Sequence, residues 1–132
     1  GLYRGNRMSE YNFELGQGTD KRLVFSLSAA DCMGQKVAFD LTGYSAAMQL
    51  RTATFAPEAD DTLTTGNGRL LLDETAGTIT AVFPHQVTEK YQARTYVYDI
   101  EITNPASEIS RILSGKIKVT PEVTRVDASE KV

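Results

Sequence analysis

Thr95-Tyr96-Val97-Tyr98-Asp99-Ile100-Glu101-Ile102-Thr103 is the stretch that decides the fold. Tyr96, Tyr98, Ile100 and Ile102 share one face, and Val97, Asp99, Glu101 and Thr103 share the other, which is the period of two of a half-buried strand. Asn104-Pro105-Ala106-Ser107 supplies turn residues, and the chain returns over 109–120. There Leu113, Gly115, Ile117 and Val119 point inward against Ser114, Lys116 and Lys118. The same alternation predicts Ile112 on the outer face. Pro121, which has no N–H to give to a ladder, ends the strand.

Outward from this hairpin the chain repeats the same grammar. Tyr11 to Leu15 alternates before Gly16-Gln17-Gly18-Thr19-Asp20 breaks it, and Leu23, Phe25 and Leu27 alternate with Val24, Ser26 and Ser28. Val37 to Tyr44 is expected as a strand with Phe39 and Leu41 inward, and Ala46, Met48 and Leu50 mark the next. Arg69 to Leu72 and Thr78 to Phe83 flank Asp73-Glu74-Thr75-Ala76-Gly77, a connection of hairpin length, which leaves Leu71 on an outer face. Phe55 to Asp61 has no period and reads as a solvated surface loop. Pro84 to Tyr91 is the one plausible helical turn, with Val87 and Tyr91 four apart. Seven or eight strands at a spacing of roughly 8–12 residues predict an all-β fold, an immunoglobulin-like antiparallel β-sandwich with at most one short helical turn. In such sandwiches a tyrosine following the crossing between sheets bonds its hydroxyl back to the crossing backbone. Tyr96 is placed for that role, or equally for that of an ordinary core aromatic.

The 132 residues suffice for one core. Gly1 to Arg7 read as a remnant of an expression leader ahead of Met8, Met8 to Arg125 as a single domain, and 126–132 as a polar tail. No apolar run exceeds three residues, as at Leu70 to Leu72, so no membrane span or membrane partner is expected. A net charge of −3 argues against nucleic acid. One cysteine and one histidine exclude an intrachain disulfide and a zinc site of several Cys and His ligands.

The remaining chemistry is sparse. His85, between Pro84 and Gln86, lacks an accompanying nucleophile motif and is expected as a surface or capping residue. Cys32 sits in the Asp31 to Gln35 turn and is expected as a half-buried, inert thiol. Glu58, Asp60 and Asp61, and likewise Asp73 and Glu74, lack both the walls of a glycosidase cleft and the ligand pattern of an EF-hand, so they read as solvated acidic loops. Gly16-Gln17-Gly18 and Gly66-Asn67-Gly68 read as turns. No catalytic residue, cofactor or metal is expected. Arg111, Lys116 and Lys118 form a basic stripe, fit for a phosphate or carboxylate-rich partner, a solvated face, or a charged sheet edge.

Asp40-Leu41-Thr42-Gly43-Tyr44, Ala47-Met48-Gln49-Leu50-Arg51, Gly77-Thr78-Ile79, Tyr96-Val97-Tyr98-Asp99-Ile100-Glu101, Arg111-x-Leu113-x-Gly115-Lys116-Ile117-Lys118-Val119 and Pro121-Glu122-Val123-Thr124-Arg125 together resemble small virion proteins of tailed bacteriophages and prophages. The pattern is similar to the group whose members resemble the N-terminal immunoglobulin-like module of baseplate upper proteins. The resemblance implies a non-enzymatic structural component of the tail, baseplate or fibre attachment region. It would be made in the bacterial host cytoplasm, be incorporated into the virion, and have other phage structural proteins and copies of itself as partners. Apparent exposure nominates Phe55, Leu71, Ile112, Lys116, Lys118 and Arg125 as interface residues. The rival readings are a capsid decoration protein and a carbohydrate-binding module using Phe55, Tyr44 and Tyr91.

Overall fold

The computed structural model describes residues 3–4 and 9–124. In chain order the strands are β1 (Tyr3–Arg4), β2 (Ser9–Glu10), β3 (Phe13–Gly16), β4 (Lys21–Ala30), β5 (Lys36–Ala38), β6 (Ser45–Arg51), β7 (Asp61–Thr64), β8 (Leu70–Asp73) and β9 (Thr78–Phe83). A single turn of helix, α1 (His85–Thr88), precedes β10 (Thr95–Thr103) and β11 (Ile109–Thr120). They form two sheets, one running β1-β4-β9-β8 with β5 also on β4, the other running β2-β11-β10-β6-β7 with β3 also on β11. The result is a β-sandwich.

The deciding hairpin is central: β10 pairs antiparallel with β11 on one side and with β6 on the other. Its inward residues Tyr96, Tyr98, Ile100 and Ile102 are all buried. They meet Phe25, Leu27, Leu70, Ile79, Ala81 and Phe83 from the opposite sheet in one core. The rings of Phe13 and Phe83 meet across the two layers at 6.0 Å. Each fully buried aliphatic side chain here contributes about 1.5–3 kcal/mol relative to exposure.

Three expectations are corrected. Ile112 is buried, at 2% exposure. The β10/β11 register shifts so that Ile100 faces Leu113 while Glu101 faces Arg111, leaving Ile112 as the extra residue of a β-bulge. Strict alternation fails at a bulge, and Ile112 and Leu113 both enter the core. Second, Val37 to Tyr44 supplies only β5. Asp40 Oδ1 accepts from the Thr42 N–H at 3.0 Å and from the Thr42 hydroxyl at 2.6 Å, so an Asx turn replaces the ladder. Those same hydrogen bonds, the hydroxyl's first, lower the pKa of the Asp40 carboxyl. Third, the sheets are mixed: β2 and β3 run parallel to β11, and β1, from the presumed leader, runs parallel to β4. With β7 added between the acidic loop and Gly66, the strands described exceed the expected seven or eight. Arg125 and the 126–132 tail lie outside the described residues.

Two tyrosines fasten the frame. The Tyr96 hydroxyl accepts the Gln92 N–H at 2.9 Å, closing the crossing between the sheets onto β10. The Tyr98 hydroxyl donates to the Tyr11 carbonyl at 2.6 Å, locking the N-terminal segment against β11. That segment comes so close that a Cβ on Gly115 would sit 1.9 Å from the Tyr11 carbonyl oxygen. Only glycine fits there.

Tyr96→Phe should therefore lower unfolding stability by about 1 kcal/mol in urea titration, the worth of one buried hydrogen bond. Gly115→Ala should cost about 1–3 kcal/mol, because backbone must move to admit the methyl group. A Gly115→Ala protein as stable as wild type would contradict the packing described.

Candidate functional site: the outer face of the six-stranded sheet

Outward residues of β6, β10 and β11 form the floor of a shallow polar hollow. Gln49 and Arg51 come from β6, Val97, Asp99 and Glu101 from β10, and Arg111, Ser114 and Lys116 from β11. Glu10 of β2 and Thr54 of the β6–β7 loop form its rim, and the hollow encloses about 520 Å³. Strand geometry dictates this composition: every second residue of β10 is core, so those between are committed to the outside.

The registers order the charges. Lys116, Val97 and Arg51 lie in one row across three strands, with Lys118 beside Thr95 one step beyond. Ser114, Asp99 and Gln49 form the next row, where Glu10 adjoins Ser114, and Arg111, Glu101 and Ala47 form the one after. The face is therefore basic in the first of these rows, acidic in the next at Glu10 and Asp99, and balanced in the last, where Arg111 stands with Glu101. Glu14 adjoins Lys118, and Arg111 reaches back to Asp99. The Arg111 Nε to Asp99 Oδ2 distance is 3.1 Å.

Phe55 stands on the loop beside the basic end and is 89% exposed. The loop beneath it is braced: Arg51 donates to the Ala56 carbonyl at 2.9 Å and to Gln49 Oε1 at 2.7 Å, and the Ala56 N–H reaches the Ala53 carbonyl at 3.0 Å. An aromatic side chain held out by an ordered loop is a preformed anchor.

Of the residues nominated from sequence, Lys116 and Lys118 are exposed on this face and Phe55 stands on its adjoining loop. Leu71 is exposed, but on the opposite sheet, in a row with Thr80 and Val24. Ile112 is removed by the bulge. β11 is flanked on both sides, so its lysines do not guard a sheet edge. Of the three aromatics considered for sugar binding, Tyr91 is buried and Tyr44 packs edge-on against Phe39 at 5.7 Å. Cys32 is exposed, not half-buried, because Asp31 Oδ1 turns the chain outward by accepting the Met33 and Gln35 N–H groups, both at 2.9 Å. His85 is the first residue of α1 and does not cap it: Asp20 Oδ1 accepts its backbone N–H at 2.6 Å and lies 3.1 Å from its Nδ1, while its Nε2 is buried without a partner.

Of the acidic residues expected in solvated loops, Glu58, Asp60, Asp73 and Glu74 are exposed, and Asp61 is not. Asp61 is no solvated loop residue: its carboxylate accepts from Nη2 and Nη1 of Arg69, at 3.0 and 3.4 Å, and from the Tyr91 hydroxyl. Arg69 also donates from Nε to the Val82 carbonyl at 2.8 Å. Burial lowers the Arg69 pKa, but the hydrogen bonds and charge of Asp61 outweigh it and the net shift is upward. Glu74 accepts the Gly43 N–H at 3.0 Å and Asp73 accepts that of Ala76 at 3.0 Å. Among the described residues, no group of three or more His, Cys, Asp or Glu side chains is arranged to hold a metal ion. None of the described helices is long and apolar enough to cross a membrane.

Asp61→Ala should destabilise the protein by about 3 kcal/mol, because it leaves Arg69 mostly buried without its counter-charge, and adding Arg69→Met should recover part of that loss. Burial, then the neighbouring Asp61, pushes the Tyr91 pKa well up, and burial, then Tyr11 and Glu10, does the same for Tyr98. Folded-state values above the unfolded value of about 10 cost nothing below pH 10. As pH rises further, the unfolded chain releases protons that the folded chain retains, so stability falls. Tyrosinate absorbance should show Tyr91 and Tyr98 ionising only with alkaline unfolding, and replacing both with Phe should remove that step.

The sequence matches no known family model, and comparison with curated proteins finds no match.

Proposed function

We propose that this chain is a non-enzymatic structural protein of a tailed-phage virion, an immunoglobulin-like module that assembles at the tail, baseplate or fibre attachment region. The observation that carries the assembly reading is the braced Phe55 beside a polar face of mixed charge, the anatomy of an aromatic anchor next to a polar rim. The phage assignment rests on the sequence pattern from Asp40 to Arg125 that resembles small virion proteins. Two features support the immunoglobulin-like assignment. β4, β9 and β8 share one sheet while β7, β6, β10 and β11 share the other, and a tyrosine hydroxyl closes the crossing before β10. The carbohydrate reading loses support, since Phe55 is the one fully exposed aromatic of the three it would use.

Phe55→Ala should change folding stability by no more than about 0.5 kcal/mol, as an exposed loop residue, while reducing incorporation into particles. Antibody against the chain should label the tail end of virions produced by the phage or prophage that encodes it. Label on heads would select the decoration role, and virions free of the protein would overturn the proposal.

A further inference from the structure

We infer that the free edge of β4, from Arg22 to Ser26, is a strand-addition site for an extended segment of a partner protein, one with apolar residues at alternate positions and an acidic residue between them. The inference deepens the assembly reading and rests on it for taking a protein as the occupant.

Hydrogen-bond directions define the site. The Val82 N–H donates to the Arg69 carbonyl at 2.9 Å, on the β8 side, so Ile79, Ala81 and Phe83 turn their backbone groups toward β4. Their register partners Phe25, Leu23 and Lys21 face β9 in return, and Leu27 continues the series by donating to the Gly77 carbonyl at 2.8 Å. Alternation then aims the N–H groups of Arg22, Val24 and Ser26, and the carbonyls of Arg22 and Val24, away from β9. On that side β1 runs parallel to β4 beside Leu27 and Ser28. The edge therefore already takes one extended segment, and among the described residues no strand lies beside Val24 and Arg22, where the same line continues.

Length singles this edge out. Sandwiches keep bare edges short, and β3, β7 and β8 have four residues each, whereas β4 has ten. The side chains say what fits. Backbone donors and acceptors in a row select an extended chain, since a helix satisfies its own. Leu23 is half-buried against the core, and Tyr11, whose ring meets Phe25 edge-on at 5.9 Å, is 38% exposed. Residues opposite Leu23 and Phe25 on an added strand point to this inner side, so apolar side chains there extend the core. Arg22 and Val24 are exposed on the outer side, where an acidic residue opposite Arg22 completes an ion pair. So short a ladder binds weakly alone and gains strength where several copies engage together.

The probe is a capped synthetic heptapeptide alternating valine with threonine around one glutamate, added in excess to the full isotope-labelled chain. By NMR the amide signals of Arg22, Val24 and Ser26 should move and their hydrogen exchange should slow about tenfold or more, while Leu23 and Phe25, already bonded to β9, keep their rates. Val24→Pro removes a donor that β9 does not use, so circular dichroism and urea titration should find it folded. It should bind the peptide about tenfold or more less tightly, and Val24→Thr, which keeps the N–H, should bind as wild type does. Replacing the peptide's glutamate with lysine should weaken binding to wild type about threefold and strengthen binding to Arg22→Glu. Unmoved Arg22 and Val24 amides overturn the site, and so does a folded Val24→Pro that binds like wild type; equal binding of the two peptides overturns the acidic partner residue. If Val24→Pro does not fold, the wild-type amides decide. The assembly reading fails separately, by the absence of the protein from virions, so the two failures are distinguishable.

Discussion

The Asp61 carboxylate is the constraint on which the two layers depend. It opens β7 at the edge of one sheet, takes the guanidinium of Arg69 just before β8 at the edge of the other, and accepts the hydroxyl of Tyr91 from the crossing that follows α1. Arg69 extends the knot to β9 through the Val82 carbonyl. An ion pair with this little exposure is worth keeping only when its remaining hydrogen-bonding groups are satisfied, and here strands from both sheets satisfy them. The knot is a polar link between the two sheets, added to the apolar core that joins them.

The remaining polar side chains of the crossing serve the same end. Thr88 donates its hydroxyl to the Thr19 carbonyl at 2.8 Å, and Gln17 reaches the Tyr91 carbonyl at 2.7 Å. Asp20 accepts the His85 N–H at 2.6 Å. One turn of helix has no stability of its own. It persists because the 16–20 turn supplies partners from the other side of the sequence. With the crossing, the edges and the N-terminal segment tied down, the braced loop and the outer face of the six-stranded sheet stand on a rigid support, which a docking surface needs if ordering costs are not to consume its affinity.

Much of the candidate interface was legible in the sequence. Phe55 follows from a run without period, and Lys116 and Lys118 from alternation along one strand. Glu101 was legible as outward in the same way, but its company with Arg51 and Glu10 was not, because a face is assembled across strands from residues far apart in the chain, and a single strand's pattern gives its sides without its neighbours. Leu71 was correctly expected to be exposed and yet belongs to the other sheet. Exposure is a local property; membership of a surface is not.

Period-two alternation by itself determined that this chain is all-β and which strands are half-buried, and Pro84 marked where the helical turn begins, since local sterics and side-chain burial act within a few residues. Tertiary structure alone decided the rest. Whether Ile112 faces water turned on a bulge set by pairing with β10, and whether Asp61 is solvated turned on an arginine and a tyrosine brought to it by the fold. Whether Val37 to Tyr44 forms a strand turned on an Asx turn winning over a ladder, and the parallel docking of β2 and β3 turned on the bare backbone of Gly115. For Ile112, Asp61 and the N-terminal strands the physical reason is common: hydrogen-bond partners and steric room supplied from further along the chain outweigh local preference by a few kcal/mol, whereas the Asx turn is a local competitor of the ladder that bonds residues two apart.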